Sequence, residues 1–281
     1  MKKYFTLSGI PMYIFTLAFV ILPLLFLAAL SFMTKTGPLE FEPVLTFQNY
    51  QGVFSGTYLQ TFLVSLKISF ITTLITVIVG YPFAYFMSRV ESAKVKGIIL
   101  LLVILPFWTN ALVRIYGFII LFRGNGILHS LLNLMGAGEG YGILYTEPAV
   151  IMGMVYGLLP FMILTAYSAC EKLSPEILEA ARDLGAGKIK TFFTVALPVT
   201  SEGLISGITL VFIPSMGLFF ISDLLGGGNI TIVGNLIKDQ ITTSHNYPLA
   251  ASIGVIMLIL MFLCTEVTRL LINKILKKEK L

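Results

Sequence analysis

Residues 148–170 read PAVIMGMVYGLLPFMILTAYSAC and contain no charged side chain. An α-helix rises about 1.5 Å per residue, so about 20 apolar residues are enough to cross a hydrocarbon core about 30 Å thick. The stretch therefore predicts a membrane-spanning helix, and this prediction determines how the residues on either side are interpreted.

Five other charge-free runs of similar length flank this stretch. They are Tyr4–Thr34, Ile68–Ser88, Gly97–Val113, Gly203–Ser222 and Gln240–Thr265. The composition agrees, because 57% of the 281 residues are hydrophobic and only 12% are charged, whereas an ordinary soluble domain has roughly 25% charged residues. The sequence therefore predicts an all-α polytopic membrane protein with six transmembrane helices, forming a single transmembrane domain over residues 1–281.

Two segments are open to another interpretation. Residues 43–66 are also free of charge, but Thr, Gln, Asn, Gly and Ser interrupt them, so most of this segment is expected to connect spans outside the membrane. The first run, at about 4–34, follows Lys2 and Lys3 as the apolar region of a signal peptide would. It is longer than the roughly 7–15 residues typical of such a region, so an uncleaved first helix is expected.

The basic residues predict the orientation, because they mark the cytoplasmic side of a membrane protein. Cytoplasmic termini place most of the 19 basic residues inside, namely Lys2, Lys3, Arg89, Lys94, Lys96, Lys172, Arg182, Lys188, Lys190, Arg269, Lys274, Lys277, Lys278 and Lys280. Lys35, Arg114, Arg123 and Lys238 fall outside, and Lys67 lies at a helix end. The net charge of +5 then reflects topology and attraction to anionic lipid, with no nucleic-acid binding implied.

This topology predicts the connections between the spans. Residues 36–67, 114–147 and 223–239 are expected to be external, and residues 89–96 and 171–202 cytoplasmic. The last of these segments carries the signals of a helix, with Ser174 suited to the N-cap, Pro175 to the first helical position and Gly185 to the stop.

The helix predicted after Ser174 is amphipathic. Ile177, Ala181 and Leu184 recur at helical spacing on one face. A second helical stretch is expected over about 188–196, ended by Pro198 before the fifth span. On periodicity alone, this helix pair could simply lie on the bilayer surface.

A spaced motif favours a more specific interpretation of the pair. Residues 179–185 read EAARDLG, and after nine further residues positions 195–198 read VALP. This pattern resembles the EAA coupling motif of ABC importer permeases: Glu-Ala-Ala, three residues, Gly, nine residues, Ile, one residue, Leu-Pro. The matching residues are Glu179, Ala180, Ala181, Gly185, Leu197 and Pro198, with Val195 in place of Ile.

The resemblance implies that residues 174–198 form coupling helices that insert into a separate ATPase chain. This chain is then not an enzyme, and ATP and Mg belong to the partner ATPase. A nucleotide-binding P-loop at 182–189 is excluded, because Arg182 stands where the first Gly belongs and Ile189 where Ser or Thr belongs.

Further segments make the resemblance closer. They are YPFAY at 81–85, PFWTN at 106–110, RIYG at 114–117 and PSMGLFFISDLLGG at 214–227. Together they resemble the first permease subunit of spermidine/putrescine importers, over nearly the whole chain. The resemblance implies the MetI-like fold, with a core at about 60–270, in the bacterial cytoplasmic membrane. It also implies a second homologous permease, two ABC ATPase subunits and an extracytoplasmic polyamine-binding protein.

Substrate-contacting residues are harder to predict. A polycation pathway should offer carboxylates, aromatic faces and carbonyl dipoles. Asp223 is the best acidic candidate, although it could be a loop residue, and Trp108 and Tyr116 are aromatic candidates, although Trp108 could be an interfacial anchor. His129 and His245 lack a second ligand at useful spacing, so no metal site is expected.

Rival functions remain at this point. Related permeases carry thiamine, iron, phosphonate or sulfate with the same coupling helix. A stand-alone secondary transporter or channel would explain six spans but would leave the motif without a purpose. A membrane-embedded enzyme would need a His, Asp or Glu constellation inside the spans, and the six runs contain none.

Overall fold

The computed structural model describes residues 10–37, 40–54, 56–124, 126 and 142–278, and these residues are mostly helical. The elements in chain order are α1 (Ile10–Ser31), β1 (Thr34–Gly37), β2 (Glu40–Glu42), α2 (Gln48–Val53), α3 (Gly56–Ser88), α4 (Ala93–Ile104), α5 (Ala111–Phe122), α6 (Glu147–Glu171), α7 (Pro175–Asp183), α8 (Lys188–Val199), α9 (Ser201–Gly217), α10 (Phe219–Gly226), α11 (Val233–Thr242) and α12 (Tyr247–Lys278). Strands β1 and β2 form a short antiparallel hairpin. Lys2, Lys3, residues 4–9 of the first run and His129 lie outside the described residues.

Four helices are long and apolar enough to cross a membrane by themselves: α1, α3, α6 and the Tyr247–Ile272 part of α12. Two helix pairs meet the same criterion only when each pair is counted as one span. They are Ala93–Trp108 with α5, bent by 92°, and α8 with α9, bent by 72°. Four of the six predicted runs correspond to these continuous helices, the third corresponds to the bent pair around Pro106, and the fifth corresponds to α9 and the first part of α10. This arrangement confirms the predicted polytopic helical class.

The third predicted span, Gly97–Val113, is broken in the structure. A 3₁₀ turn, Leu105–Trp108, follows α4 and contains Pro106, which lacks the backbone N–H that a continuous α-helix needs. Asn110 starts α5, because its Oδ1 accepts a hydrogen bond from the backbone N of Leu112 at 2.8 Å. The prediction of an external loop from Arg114 onwards is wrong as far as Phe122, since α5 continues the apolar sequence to that residue.

The predicted connection at 43–66 is wrong in its second half. Helix α3 begins at Gly56, so residues 56–66 are helical. Their polar side chains find partners within the fold: Thr61 Oγ1 donates to the carbonyl of Thr57 at 3.3 Å, and Ser65 Oγ accepts from the backbone N of Val233 at 2.8 Å. Polar residues that are satisfied in this way do not interrupt a helix.

The predicted external loop at 223–239 is also mostly helical. Helix α10 runs to Gly226, and α11 begins at Val233. Asn235 stabilises the start of α11, because its Oδ1 accepts from the backbone N of Ile232 at 2.9 Å. The charges that defined this segment as a loop thus lie on short helices.

The residues form two compact units. One contains the described residues up to Thr61 together with Leu236–Leu260, and the other contains Phe62–Asn235 and the described residues from Met261 onwards. In the first unit, Asn49 Nδ2 donates to the carbonyls of Ser31 and Met33 at 3.0 and 2.9 Å, which satisfies the end of α1.

The second unit is built on close packing of α6 against α9. A Cβ atom at Gly203 would overlap Ala169 Cβ, and one at Gly207 would lie 2.6 Å from both Met162 Sδ and Thr165 Oγ1. Two glycines four residues apart allow helix backbones to approach closely in a membrane. This contact fixes α9 beside α6, and the α7–α8 pair lies between these two helices in the chain.

Candidate functional site

Helix α7 forms where its local sequence predicts, although the Ser174 side chain makes no capping hydrogen bond to the backbone of α7. It begins at Pro175 after Ser174 and ends at Asp183. Gly185 has φ of +83°, and the backbone N–H of Ala186 donates to the carbonyl of Ala181 at 3.1 Å. A left-handed residue just after a helix is the usual place for glycine, so Gly185 sets the turn between α7 and α8.

The two faces of α7 differ in exposure. Leu178 is 4% exposed and packs with Leu173 and Ala196, whereas Leu184 is 90% exposed and Ile177 is 46% exposed. The exposed face is the apolar stripe predicted from the sequence. These exposed apolar side chains lie outside the predicted spans, where contact with another protein would remove them from water.

The residues of the motif lie in two different environments. Glu179, Ala180 and Gly185 are exposed. Val195 and Leu197 are partly buried, and Pro198 is buried. Val195 packs on the cluster that contains Leu178. The 179–185 part of the motif therefore faces outward, and the 195–198 part attaches the helix pair to the second unit.

Helix α8 departs from the prediction at its end. Its Phe192–Ala196 portion is π-helical, and helical structure continues through Pro198 to Val199, so the prediction that Pro198 ends the helix is wrong. A proline ring clashes with the carbonyl four residues earlier in a regular α-helix, and the wider π turn relieves this clash. The bend to α9 falls at Thr200, whose Oγ1 is hydrogen-bonded to Tyr81 Oη of α3.

Arg89 ties the α3–α4 corner to the base of α7. Its Nη1 donates to the carbonyl of Leu173 at 3.0 Å, and its Nη2 donates to that of Cys170 at 2.9 Å. Its guanidinium also lies 5.5 Å from the ring centroid of Tyr85. These bonds satisfy carbonyls at the C-terminal end of α6, where a cation also complements the helix dipole.

A cavity of about 400 Å³ separates this corner from α7. Arg89, Glu91 and Lys96 line one side, and Pro175, Glu179 and Arg182 line the other. Lys96 also forms an ion pair with Glu171 at 3.4 Å. The motif glutamate thus faces a charged recess and is accessible from it.

The three predicted pathway residues lie in different settings. Asp223 is in α10, so its interpretation as a loop residue is wrong; its Oδ1 accepts from Nδ2 of Asn235 at 2.6 Å. Trp108 ends the 3₁₀ turn and is 76% exposed, and Tyr116 on α5 is 54% exposed. Asn235, which sequence reasoning missed, therefore positions the acidic candidate.

A cluster that was not predicted surrounds Arg114 on α5. Its guanidinium lies 5.8 Å from the ring centroid of Phe107 and 5.9 Å from that of Tyr156. Phe161 packs edge-on against Phe107 at 5.2 Å, and Phe118 packs against Tyr156 at 5.1 Å. We call the rings of Phe107 and Tyr156 around Arg114 the aromatic box. The sequence signal that could have identified this cluster is one basic residue, Arg114, within the otherwise uncharged residues 97–122.

At Arg114, the favourable contacts with two rings are opposed by the cost of buried hydrogen-bond donors without an acceptor. Each cation–π contact contributes about 0.5–2 kcal/mol. Its Nε and Nη1 are buried without a hydrogen-bond partner in the part of the chain that the structure describes, and each unmet buried donor costs about 1–3 kcal/mol. The two effects are of similar size, so the box holds its guanidinium weakly.

Ion pairs also occur outside these clusters. Glu266 and Arg269, three residues apart on α12, form one at 3.5 Å. Lys67 pairs with Glu147 at 2.8 Å. Within the described residues, no three His, Cys, Asp or Glu side chains are close enough together to hold a metal ion.

Comparison with known proteins agrees with this architecture. Residues 80–278 match the family model described as the inner membrane component of binding-protein-dependent transport systems. The spermidine/putrescine transport system permease protein PotB of Haemophilus influenzae is 46% identical over 92% of this chain and 91% of its own length. PotB of Escherichia coli K12 is 41% identical over 86% of this chain and 88% of its own length.

The fold is also that of a solved transporter. One chain in the crystal structure of a bacterial alginate ABC transporter, in complex with an alginate pentasaccharide-bound periplasmic protein, superposes with a TM-score of 0.76. The match covers 98% of this chain and 96% of that one at 16% sequence identity, so it concerns the fold alone. The family model and the two relatives decide the assignment: this chain belongs to the inner membrane components of binding-protein-dependent transport systems, as a multi-pass permease of the cytoplasmic membrane.

Proposed function

We propose that this chain is one permease subunit of an ATP-driven polyamine importer that carries spermidine and putrescine into the cell. The observation that carries the proposal is the identity of 46% over 92% of the chain with a spermidine/putrescine permease. The family model, which matches residues 80–278, spans the segments around Trp108 and Asp223 that were singled out from the sequence.

The α7–α8 pair is proposed as the contact with the ATPase. Its exposed apolar stripe, with Leu184 at its end, supplies the docking surface, and Glu179 supplies a charge-assisted contact at the joint. Arg89 and the Leu173–Leu178–Ala196 cluster hold the pair against the spans. A rigid attachment of this kind transmits the movement of a partner better than a flexible loop does.

The proposed assembly contains four further components. A second homologous permease completes the pathway, two ATPase subunits bind ATP and Mg, and an extracytoplasmic polyamine-binding protein delivers the cargo. The N and C termini, and therefore the α7–α8 pair, face the cytoplasm in this arrangement. ATP binding closes the ATPases and opens the pathway between the two permeases to the outside. Hydrolysis restores the inward-facing state.

Uptake of labelled spermidine tests the proposal. Cells with and without the gene are compared, in a strain that has no other polyamine importer, with unlabelled putrescine, spermine and thiamine as competitors. We expect uptake to require the gene and ATP, and to be reduced by polyamines alone. Unchanged uptake on deletion, or competition by thiamine, would assign the permease to a different solute.

A further inference from the structure

The aromatic box holds a cation that lacks an anionic partner among the described residues. The ion pairs of this part of the chain involve Lys67, Lys96, Lys238 and Arg269. Arg114 instead contacts two ring faces, and its Nε and Nη1 are buried without an acceptor. A guanidinium keeps its charge in any protein environment, so these two nitrogens have no acceptor from the described part of this chain as long as Arg114 remains in the box.

We infer that the aromatic box is a binding site for an ammonium group of the cargo, and that Arg114 is a tethered cation that occupies it between transport cycles. The inference rests on the proposed polyamine function and adds a site to it. Arg114 leaves the box when an ammonium group enters, and it returns when the cargo has passed.

The chemistry of the box suits both occupants. The negative face of an aromatic ring attracts a guanidinium and a primary ammonium alike. Two like charges a few ångströms apart repel strongly where water is scarce. Occupancy by Arg114 and by cargo is therefore mutually exclusive, and the arginine competes directly with the substrate.

The position of the box allows this exchange. Tyr156 is 38% exposed and Phe161 37% exposed, so the cluster reaches the surface of the unit. Arg114 lies in the first turn of α5, just after the 92° break between α4 and α5. A long side chain with unmet donors gains hydrogen bonds when it swings out of the box, which offsets the loss of its ring contacts.

Transport kinetics test the exchange. The complete importer, with its second permease, ATPases and binding protein, is reconstituted in liposomes, and KM and kcat for spermidine are measured. Arg114→Gln replaces the charged group with a neutral polar one, and Arg114→Met replaces it with an apolar one. Arg114→Lys keeps the charge. We expect both neutral variants to lower the KM about tenfold, and Arg114→Lys to stay within about threefold of the wild type.

A double-mutant cycle shows whether the gain comes from the box. Tyr156→Leu removes one ring, and Tyr156→Phe keeps it as the matched control. We expect Tyr156→Leu to raise the KM, Tyr156→Phe to leave it unchanged, and Arg114→Gln to give no gain in affinity once Tyr156 is Leu.

Three results would overturn the inference. The first is an unchanged KM in both neutral variants. The second is loss of uptake or of assembly in both, with Arg114→Lys active, because Arg114 would then serve the fold or pair with another subunit. The third is a lower KM for Arg114→Gln that persists when Tyr156→Leu is also present. If the wild-type importer transports no spermidine, the proposed function fails and this site fails with it, whereas the other results leave the proposed function intact.

Discussion

The α7–α8 pair and the aromatic box each depend on an arginine, and the two arginines differ in how their donors are satisfied. Arg89 donates to two carbonyls at 2.9 and 3.0 Å and stacks near Tyr85, and its Nε alone is buried without a partner among the described residues. Arg114 lies between rings, and two of its nitrogens have no acceptor among the residues that the structure covers. The same side chain thus forms a rigid joint in one place and a replaceable contact in the other.

The difference follows from what each site has to do. A coupling element must move as one body with the helices attached to it, and carbonyl hydrogen bonds at the end of α6 provide that connection. A site for a transported cation must bind weakly enough to release it. Variants in the two regions should therefore have effects of different kinds as well as different sizes.

The largest effect is expected at Leu184. Replacing it with Asp leaves the packed face of α7 untouched, because Leu184 is 90% exposed. The change puts a charge where the proposed ATPase contact needs an apolar side chain, so ATP-dependent uptake should be abolished while the chain still reaches the membrane. Leu184→Met keeps the apolar contact and serves as the control. Uptake at the wild-type rate in Leu184→Asp would exclude α7 as the docking surface.

Arg89→Met should have the next largest effect. It removes both hydrogen bonds to the end of α6, and charge-assisted bonds of this kind contribute about 1.5–3 kcal/mol each. We expect a lower Tm of the purified complex and fewer substrate molecules transported per ATP hydrolysed. Arg269→Met removes an exposed ion pair with Glu266 at 3.5 Å and should change neither quantity. Equal effects of the two substitutions would contradict the role of Arg89.

These two regions also differ in how much of them the sequence predicts. Pro175 and Gly185 act on their own neighbours, so the start and stop of α7 follow from local signals, even though the Ser174 side chain makes no capping hydrogen bond. The apolar stripe follows from helical periodicity, and Ile177 and Leu184 are both exposed. The partners of Arg89 do not follow in this way, because Leu173 lies 84 residues further along the chain.

The bends and the aromatic box show the same limit. Pro106 predicts that the third span is perturbed, but the 92° angle and the apolar continuation through α5 depend on packing against other helices. The sequence predicts that Arg114 is external, because it directly follows the charge-free run that ends at Val113. Its contact with Tyr156 exists because α5 and α6 come together, and no local pattern contains that information.

A smaller effect is expected at the start of α7. Hydrogen bonding to the Ser174 side chain, and then to its own backbone N–H, lowers the pKa of Glu176. A carboxylate with a lowered pKa stabilises the folded segment above its unfolded value of about 4.3, and this stabilisation is lost as the pH falls through the folded pKa. Hydrogen exchange over residues 174–185 should therefore be faster in Glu176→Gln than in the wild type at pH 7, and equal in both near pH 3. A difference that persists in acid would rule out the carboxylate as its cause.

The smallest effect on stability is expected for Arg114→Met, in direct contrast to Arg89→Met. The substitution removes the cation–π contacts with Phe107 and Tyr156, and it also removes two buried donors that have no acceptor in the described part of the chain. A methionine can keep favourable sulfur contacts with the same rings. The gains and losses are of similar size, so the Tm of the complex should change little, whereas Arg89→Met should lower it clearly in the same assay. A fall in Tm as large as that of Arg89→Met would mean that Arg114 is a structural joint as well, satisfied in the assembled importer by an acceptor from another subunit.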